Sequence, residues 1–476
     1  MLIPRVFEDS DKLAPAPVPL AEHRRRMQRR WNAYYATAEE DVREMLELRN
    51  PRTHELIQVI NMAYYPCVVD QRAGELEIPT LRFKLAGEEL SDENKTRVEE
   101  MLRKANFREK LKTLGLFLEM FRTVGCFFSW HSKRNHVVCQ LLPPMRCDVL
   151  LDDEGLFSED ITHFVVYTQK SESREEAVVW TRETWQRYTN GTESSEQRQN
   201  PYGELPVHFV HASDEGAEFW RSGGDTLYDM CIMLLYHWSD VMFCQEYQGH
   251  GQPVFTGLAK EDAESRVLSP AHGLALNEGQ NFRYETPGDA SSTRLDAIRQ
   301  MEETLTLLHN LPADSFDRTL APASGAAKEI AYAKLMSYRT SMAERLADNC
   351  QALFDKLVLI HNTHTPFAER IPEGIEIQIN LEEWKQRIAP DPEQTQLREE
   401  RQIKLGIISP VDIIVRERGI SPEEAEKVYQ KNKSLYGDQG QKPAKPGISL
   451  REVLNGAGND ARAAEQADRP TAPGDE

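Results

Sequence analysis

Long hydrophobic runs are missing from this sequence. The longest apolar run covers residues 230–236, far short of the roughly 20 residues that a transmembrane helix requires, so no membrane partner is expected. The first five residues also lack the apolar stretch and the small-residue cleavage site of a signal peptide. These two absences predict a soluble protein that folds in the cytoplasm.

Positive charge is scarce. The sequence carries 57 Lys and Arg against 77 Asp and Glu, a formal net charge of −20. A protein that grips DNA by neutralising phosphates needs a surplus of Lys and Arg, so the balance argues against that class. It suits a surface past which DNA moves without sticking, although many soluble proteins are simply acidic.

Cysteine is infrequent and follows no motif. The seven cysteines form no Cys-x-x-Cys pair, and an odd number suits a reducing compartment. Each cysteine lies in an apolar or helical context. They are therefore predicted to be small core residues.

Sequence motifs of catalysis are also missing. There is no Gly-x-x-x-x-Gly-Lys-Ser/Thr phosphate loop and no Gly-x-Ser-x-Gly elbow. The pairs His131 with His136 and His361 with His364 lack a third metal ligand at a supportive spacing. We therefore expect no enzyme, no metal and no cofactor. A nucleic-acid-processing enzyme with an unrecognised active site remains an alternative.

The sequence of the first half of the 476-residue chain predicts several short structural elements. Prolines mark residues 1–19 as an arm, and a helix follows at 20–48. The basic cluster of this helix, from His23 to Arg30, is followed by acidic residues, which favours a solvated helix face over a nucleic-acid contact. Further helices are predicted at 53–62, 92–105 and 108–122, and short antiparallel strands at 125–130, 136–142, 148–151, 161–168 and 177–181.

A helix at 225–248 is the most apolar element of the chain. Its stripe at alternating steps of four and three consists of Leu227, Cys231, Leu234, Trp238 and Val241. Other apolar residues fill most of the remaining circumference, so this helix must be buried on several sides. Neighbouring subunits could bury the stripe, and so could the core of the same chain. The periodicity leaves these two possibilities open, and only the family resemblance described below implies that the five residues pack between subunits.

The second half of the chain alternates helices with Pro- and Gly-rich segments. A helix at 292–311, with Leu308 on its apolar stripe, is followed by a flexible piece at 312–325 and a very long helix to about 362. A strand is predicted at 374–380. Ser409 and Ser421 then begin two short helices, each with a proline at the first helical position. Residues 437–476 have few apolar side chains and are predicted to be disordered.

The serial order of these parts resembles the portal proteins of tailed bacteriophages. Asn200-Pro201-Tyr202-Gly203-Glu204-Leu205-Pro206 is similar to the family's Asn-Pro-x-Gly-x-Ile/Val-Pro turn, which precedes the first stem helix. Leu405-Gly406-Ile407-Ile408-Ser409, followed by Arg418-Gly419-Ile420-Ser421-Pro422-Glu423-Glu424-Ala425, resembles the ending of the family's crown. The order of all these elements carries the resemblance, because no single motif is highly specific.

The resemblance implies an α+β, mostly helical portal fold that assembles as a ring. Its implied regions are an arm at 1–19, a wing at 20–224, stem helices at 225–251 and 289–311, a clip at 252–288, a tunnel loop at 312–325, a tunnel helix with a returning wing strand at 326–390, crown helices at 391–436 and a tail at 437–476.

The resemblance also implies a function. Twelve subunits would form a channel at one capsid vertex for packaging and ejecting double-stranded DNA, and a shorter kind of head-to-tail adaptor is the closest alternative. Partners would be the large terminase, a head-completion or tail adaptor, and the major capsid and scaffold proteins. The implied channel residues are Asp314, Ser315, Phe316, Asp317, Arg318 and Thr319, and the implied clip residues for partner docking are Phe255, Lys260, Glu261 and Arg266.

Overall fold

The computed structural model describes residues 13, 16, 18–51, 54–74, 81–152, 160–170, 175–190, 192–213, 218–250, 252–257, 278–285, 291–316, 325–379, 401–406, 408–418 and 422–436. The chain divides into two units, Met1–Pro390 and Asp391–Glu476. The described residues are mostly helical and include four antiparallel sheets. The prediction of a mostly helical α+β protein is therefore confirmed. No helix within the described ranges is long and apolar enough to cross a membrane.

The first unit begins with three helices: α1 (Leu20–Tyr35), α2 (Glu39–Arg49) and α3 (Tyr64–Ala73). The prediction of one helix at 20–48 was wrong, because the chain breaks at Ala36 and restarts where the Thr37 hydroxyl accepts a hydrogen bond from the Glu39 backbone amide. The helix predicted at 53–62 is only a 3₁₀ turn, His54–Leu56. Helix α3 follows it instead, with Pro66 in the first turn, where a missing N–H costs nothing.

Two further helices precede the strands that begin at Thr123, and both were predicted. They are α4 (Asp92–Lys104) and α5 (Phe107–Phe121). Strand β1 (Leu81–Leu85) lies between β2 (Glu88–Glu89) and β14 (Ile375–Ile379), and Leu81 pairs with Ile379. This pairing brings the strand predicted at 374–380 back beside the N-terminal part of the chain.

The β-rich block forms two sheets rather than one. Strands β3 (Thr123–His131), β4 (His136–Leu142) and β11 (Val207–His211) form a three-stranded sheet in the order β11-β3-β4. The second sheet contains β5 (Cys147–Leu151), β6 (Ile161–Lys170), β7 (Glu175–Trp180), β8 (Thr184–Thr189), β9 (Thr192–Glu193) and β10 (Arg198–Gln199). Leu13, in the predicted flexible arm, makes an isolated antiparallel bridge with Leu150 of β5. At this position the arm contacts the second sheet.

The remaining elements of the first unit are three long helices and a two-stranded sheet. They are α6 (Asp225–His250), β12 (Gln252–Thr256), β13 (Asn281–Glu285), α7 (Ser291–Leu308) and α8 (Gly325–His364). The predicted helix positions at 225–248, 292–311 and 326–362 are confirmed to within three residues at each end. Strands β12 and β13 pair antiparallel, with Val254 opposite Arg283.

The second unit contains helices α9 (Pro410–Arg418) and α10 (Pro422–Tyr436), as predicted. The Ser409 hydroxyl accepts from the Asp412 amide at 3.1 Å, and the Asp412 carboxylate accepts from the Ser409 amide at 2.7 Å. This is the reciprocal capping arrangement that starts a helix firmly. The predicted tail at 437–476 lies outside the described residues.

One large apolar cluster connects α1–α8 with the three-stranded sheet, and two smaller clusters include strands of the six-stranded sheet. Five cysteines (Cys126, Cys139, Cys147, Cys231 and Cys350) are buried in the structure, while Cys67 and Cys244 are half-buried. All seven thiols are free. The prediction of small core residues is confirmed for the five buried cysteines.

The prediction of a solvated face for the basic cluster of α1 was wrong for three of its residues, because His23, Arg24 and Arg30 are buried. Arg24 is buried in an ion pair with Asp148 of β5, and Asp148 also accepts from the Tyr167 hydroxyl. Arg30 is buried too, pairing with Asp225 at the start of α6 and donating to the Met120 carbonyl at 2.8 Å. A buried arginine needs such partners because an unpaired charge in the core is costly. Helix α1 therefore joins the six-stranded sheet to α6.

Candidate functional site

The elements that correspond to the implied stem, clip and tunnel helix form the candidate site. Helices α6 and α7 pack side by side, and Arg294 near the start of α7 pairs with Asp240 towards the end of α6 at 3.1 Å. The two helices are therefore antiparallel, with β12 and β13 at their common end. Helix α8 follows α7 after sixteen intervening residues, of which 309–316 are described.

The predicted intersubunit stripe of α6 is already covered by its own chain. Leu227, Cys231, Leu234 and Val241 are at most 3% exposed in the isolated chain. No surface of these side chains is left for a neighbouring subunit to bury, so their prediction as subunit-packing residues was wrong. The α2, α3 and α7 helices supply contacts around α6 that an intersubunit interface would have supplied.

Trp238, the fifth residue of that stripe, is half-buried and belongs to a polar junction. Its indole N–H donates to the Tyr64 hydroxyl at 2.8 Å, and that hydroxyl donates to Glu302 of α7. Burial, and then the hydrogen bond to Glu302, raise the pKa of Tyr64 above its usual value. Tyr64 thus remains protonated and links α3 to both α6 and α7.

The start of the predicted tunnel loop is packed rather than flexible. Ala313–Ser315 is a 3₁₀ turn in which the Ser315 hydroxyl donates to the Pro312 carbonyl at 2.7 Å. The next residue, Phe316, places its ring centroid 5.5 Å from that of Tyr64. Asp314 helps to raise the pKa of Tyr332 on α8, after the larger effect of burial. Asp317, Arg318 and Thr319 lie outside the described residues.

Arg72, at the other end of α3, contacts three elements. Its guanidinium donates to Glu119 at 2.9 Å and to the His309 carbonyl, just after α7, at 2.6 Å. The same group lies 4.0 Å from the centre of the Tyr338 ring on α8, a cation–π contact. Burial and then the Arg72 charge lower the pKa of His309 to about 4. Helix α3 therefore holds the end of α7 against α8.

The β12–β13 pair carries one of the four predicted docking residues. The rings of Phe255 and Phe282 face each other across the pair with centroids 4.9 Å apart, and Phe255 is half-buried. Lys260, Glu261 and Arg266 lie outside the described residues. The aromatic pair helps to fix the register of β12 and β13, which form a two-stranded sheet among the described residues.

The central helices expose four apolar side chains, of which Leu308 was predicted to lie on an apolar stripe. Exposed fractions are 71% for Leu307, 58% for Leu308, 78% for Ile330 and 47% for Met242. Leu308 was predicted on the buried stripe with Ile298 and Leu305, but only the last two are buried. The adjacent pair of leucines just beyond Leu305 was the available signal, because residues 100° apart cannot both follow one stripe.

The histidine pairs contact aromatic rings or each other. His131 and His136 stack with ring centroids 6.2 Å apart, and His364 stacks on Trp130 at 5.0 Å. Among the described residues no group of three or more His, Cys, Asp or Glu is arranged to hold a metal ion.

Comparisons with known proteins returned only structural similarities. No protein-family model and no curated protein matches the sequence. The virion of a native gene transfer agent particle contains a chain 12% identical to this one, with a TM-score of 0.40 over 88% of this chain and 98% of that chain.

Two neck structures of gene transfer agent particles are also similar. One, from an empty particle computed with C6 symmetry, is 12% identical over 86% of this chain and 96% of its own, with a TM-score of 0.40. The other, from a native particle computed with C12 symmetry, is 11% identical over 73% and 86%, with a TM-score of 0.37. The proposal below therefore stands on the residues and contacts of this chain.

Proposed function

We propose that this chain is a portal protein, a subunit of a ring that forms the DNA channel at one capsid vertex of a tailed-phage-like particle. Twelve copies would surround double-stranded DNA, in the host cytoplasm during assembly and then in the virion. The chain would position DNA and partners without catalysing a reaction, and would need no cofactor.

The exposed apolar residues of the central helices are the observation that carries the proposal. Leu307, Leu308 and Ile330 lie on α7 and α8, whose opposite faces are buried in the chain's own core. Each such side chain contributes about 1.5–3 kcal/mol when it is removed from water. In the proposed ring, these three side chains would be removed from water by packing against another copy.

The ends of this helical group would meet the other partners. The β12–β13 pair with Phe255, together with Lys260, Glu261 and Arg266, would dock the terminase and later the head-completion or tail adaptor. Of the implied channel residues 314–319, those beyond the packed start of the loop, Asp317, Arg318 and Thr319, would face DNA in the channel. A chain of net charge −20 with few bases in that segment offers no deep electrostatic well to moving DNA.

Self-assembly is tested on the exposed leucine pair. The double variant Leu307→Glu, Leu308→Glu should form no rings in native mass spectrometry or electron microscopy. Two carboxylates would otherwise be buried between subunits. The chain itself should remain folded, since both side chains are exposed in it. Arg299→Glu changes the net charge by the same amount on the same helix and should still form rings.

Two results would count against the portal proposal. The proposed ring assembly would be contradicted if the purified wild-type chain stayed monomeric at high concentration. Rings in the leucine double variant equal to those of Arg299→Glu would show that the exposed leucines do not hold subunits together.

The channel role is tested by shortening the loop beyond its packed start. Deleting Asp317, Arg318 and Thr319 while keeping Phe316 should leave rings intact and reduce the fraction of particles that contain DNA. Phe316→Ala keeps the loop length and should instead lower stability by about 1–3 kcal/mol, because it removes a partly buried ring. Normal DNA content in the deletion variant would contradict the channel assignment.

A further inference from the structure

A second group of exposed residues, basic and aromatic, lies in two segments of the chain that do not contain Leu307 and Leu308. It consists of Trp130, His131, Lys133, Arg134, Phe367 and Arg370, which we name the cationic patch. The first four residues end the β3–β4 hairpin, and the last two follow the end of α8. His364 connects the two segments, because its ring stacks on Trp130 with centroids 5.0 Å apart.

The cationic patch is exposed and nearly free of acids. Phe367 is 86% exposed, the most exposed of the large hydrophobic residues described, and Lys133, Arg134 and Arg370 are also exposed. Residues 131–136 contain no carboxylate and residues 364–370 contain only Glu369, in a chain of net charge −20. Exposed aromatic and arginine side chains together are typical of protein–protein interfaces.

Neighbouring side chains contact one face of Trp130 and lie near the Phe367 ring, which stays largely open. His364 stacks on Trp130 at an interplanar angle of 14°, and the Arg370 guanidinium lies 5.8 Å from the centre of the Phe367 ring. Single-stranded nucleic acid binds through free aromatic faces on which bases stack. The patch has one largely open ring, Phe367, and three cationic side chains in the same two segments, which fits an acidic protein surface with an apolar position.

The same chain presents such a surface elsewhere. An open groove of about 1360 Å³ between α1, α2 and the start of α6 is lined by seven carboxylates and four arginines. Its lining includes Glu40, Glu47 and Glu55, and we name it the acidic groove. Leu48 and Leu56, the neighbours of Glu47 and Glu55 in sequence, are 78% and 62% exposed. The acidic groove thus has excess negative charge, and two exposed leucines are adjacent in sequence to two of its lining residues.

We propose that the cationic patch of one copy docks on the acidic groove of the next copy. This inference rests on the proposed ring, since two different surfaces that match in charge form a head-to-tail contact, which closes into a ring by rotation. Phe367 would pack near Leu48 and Leu56, while Lys133, Arg134 and Arg370 would meet the groove's glutamates. The contact would add a second interface to the one at the exposed leucines.

Charge reversal with rescue tests the pairing. The patch variant Lys133→Glu, Arg134→Glu, Arg370→Glu should lower the fraction of chains in rings by roughly tenfold or more, because like charges would face each other. The groove variant Glu40→Lys, Glu47→Lys, Glu55→Lys should do the same. Combining both sets restores opposite charges and should restore rings. All fractions are measured by native mass spectrometry at one protein concentration.

Each control separates this proposal from others. Arg82→Glu, Lys95→Glu, Arg108→Glu alters three exposed bases outside the patch and should leave rings unchanged; a loss there would show a general charge effect and overturn the pairing. Thermal melting checks that every variant is folded.

Rings that survive patch reversal, or that are lost without rescue, would overturn the pairing while leaving the portal proposal standing. Intact rings with lost duplex-DNA binding would assign the patch to DNA and overturn it too. A wild-type chain that forms no rings would contradict both the pairing and the portal proposal.

Discussion

Trp238→Asp is expected to prevent the chain from folding into soluble, assembled protein. The substitution removes a large indole packed against the main core, which costs about 3–5 kcal/mol. It also places a carboxylate beside the Tyr64 hydroxyl, which already donates to Glu302, so two like charges would converge on one phenol. Soluble yield and the midpoint of urea unfolding followed by circular dichroism measure the effect.

Trp238→Phe provides the matched control. Phenylalanine keeps an aromatic ring in the core and loses only the N–H donated to Tyr64, so the expected cost is about 1–2 kcal/mol. Rings should still form in this variant. If Trp238→Asp gave soluble rings with a wild-type unfolding midpoint, Trp238 would not be part of the core.

Asp148→Ala is expected to have the second large effect. Arg24 and Asp148 have side-chain exposures of 1% and 2%, so removing the carboxylate leaves a buried guanidinium without its counter-charge. Breaking a buried ion pair in this way costs about 3–5 kcal/mol. The Tyr167 hydroxyl would also lose its acceptor. The free energy of unfolding from urea titrations gives the size of the loss.

Two variants test that the buried charge is the cause. Arg24→Met combined with Asp148→Leu removes both charges and should recover most of the lost stability, because apolar replacements of a buried pair are often neutral. Arg26→Ala breaks an exposed pair with Glu22 and should cost at most about 1 kcal/mol. A double variant no more stable than Asp148→Ala alone would mean that shape, not charge, holds α1 to the sheet.

Elements with a strong local signal could be predicted from the sequence. Helices α6, α7 and α8 follow from apolar periodicity, and α9 from Ser409 as its N-cap with Pro410 behind it. The loop start could not be predicted as packed, because nothing near Phe316 in the sequence indicates Tyr64 as its neighbour. Tertiary contacts decided that segment.

Long-range pairing explains the other errors. Helix α3 was not predicted, and its stabilising contacts are long-range: Tyr64 and Arg72 contact α5, α6, α7 and α8. The buried state of Arg24 and Arg30 depends on carboxylates 124 and 195 residues later in the chain. The sequence of an amphipathic helix does not show how the helix is oriented in the fold when both of its faces are buried.

The late position of those carboxylates has a consequence for synthesis on the ribosome. Helix α1 emerges first, but Asp225, the partner of Arg30, is made 195 residues later, roughly 10–40 s at typical translation rates. Until then Arg30 must stay hydrated, so α1 cannot take its final place. Helix α1 is therefore made before every other described helix, but it cannot dock until the start of α6 has been made.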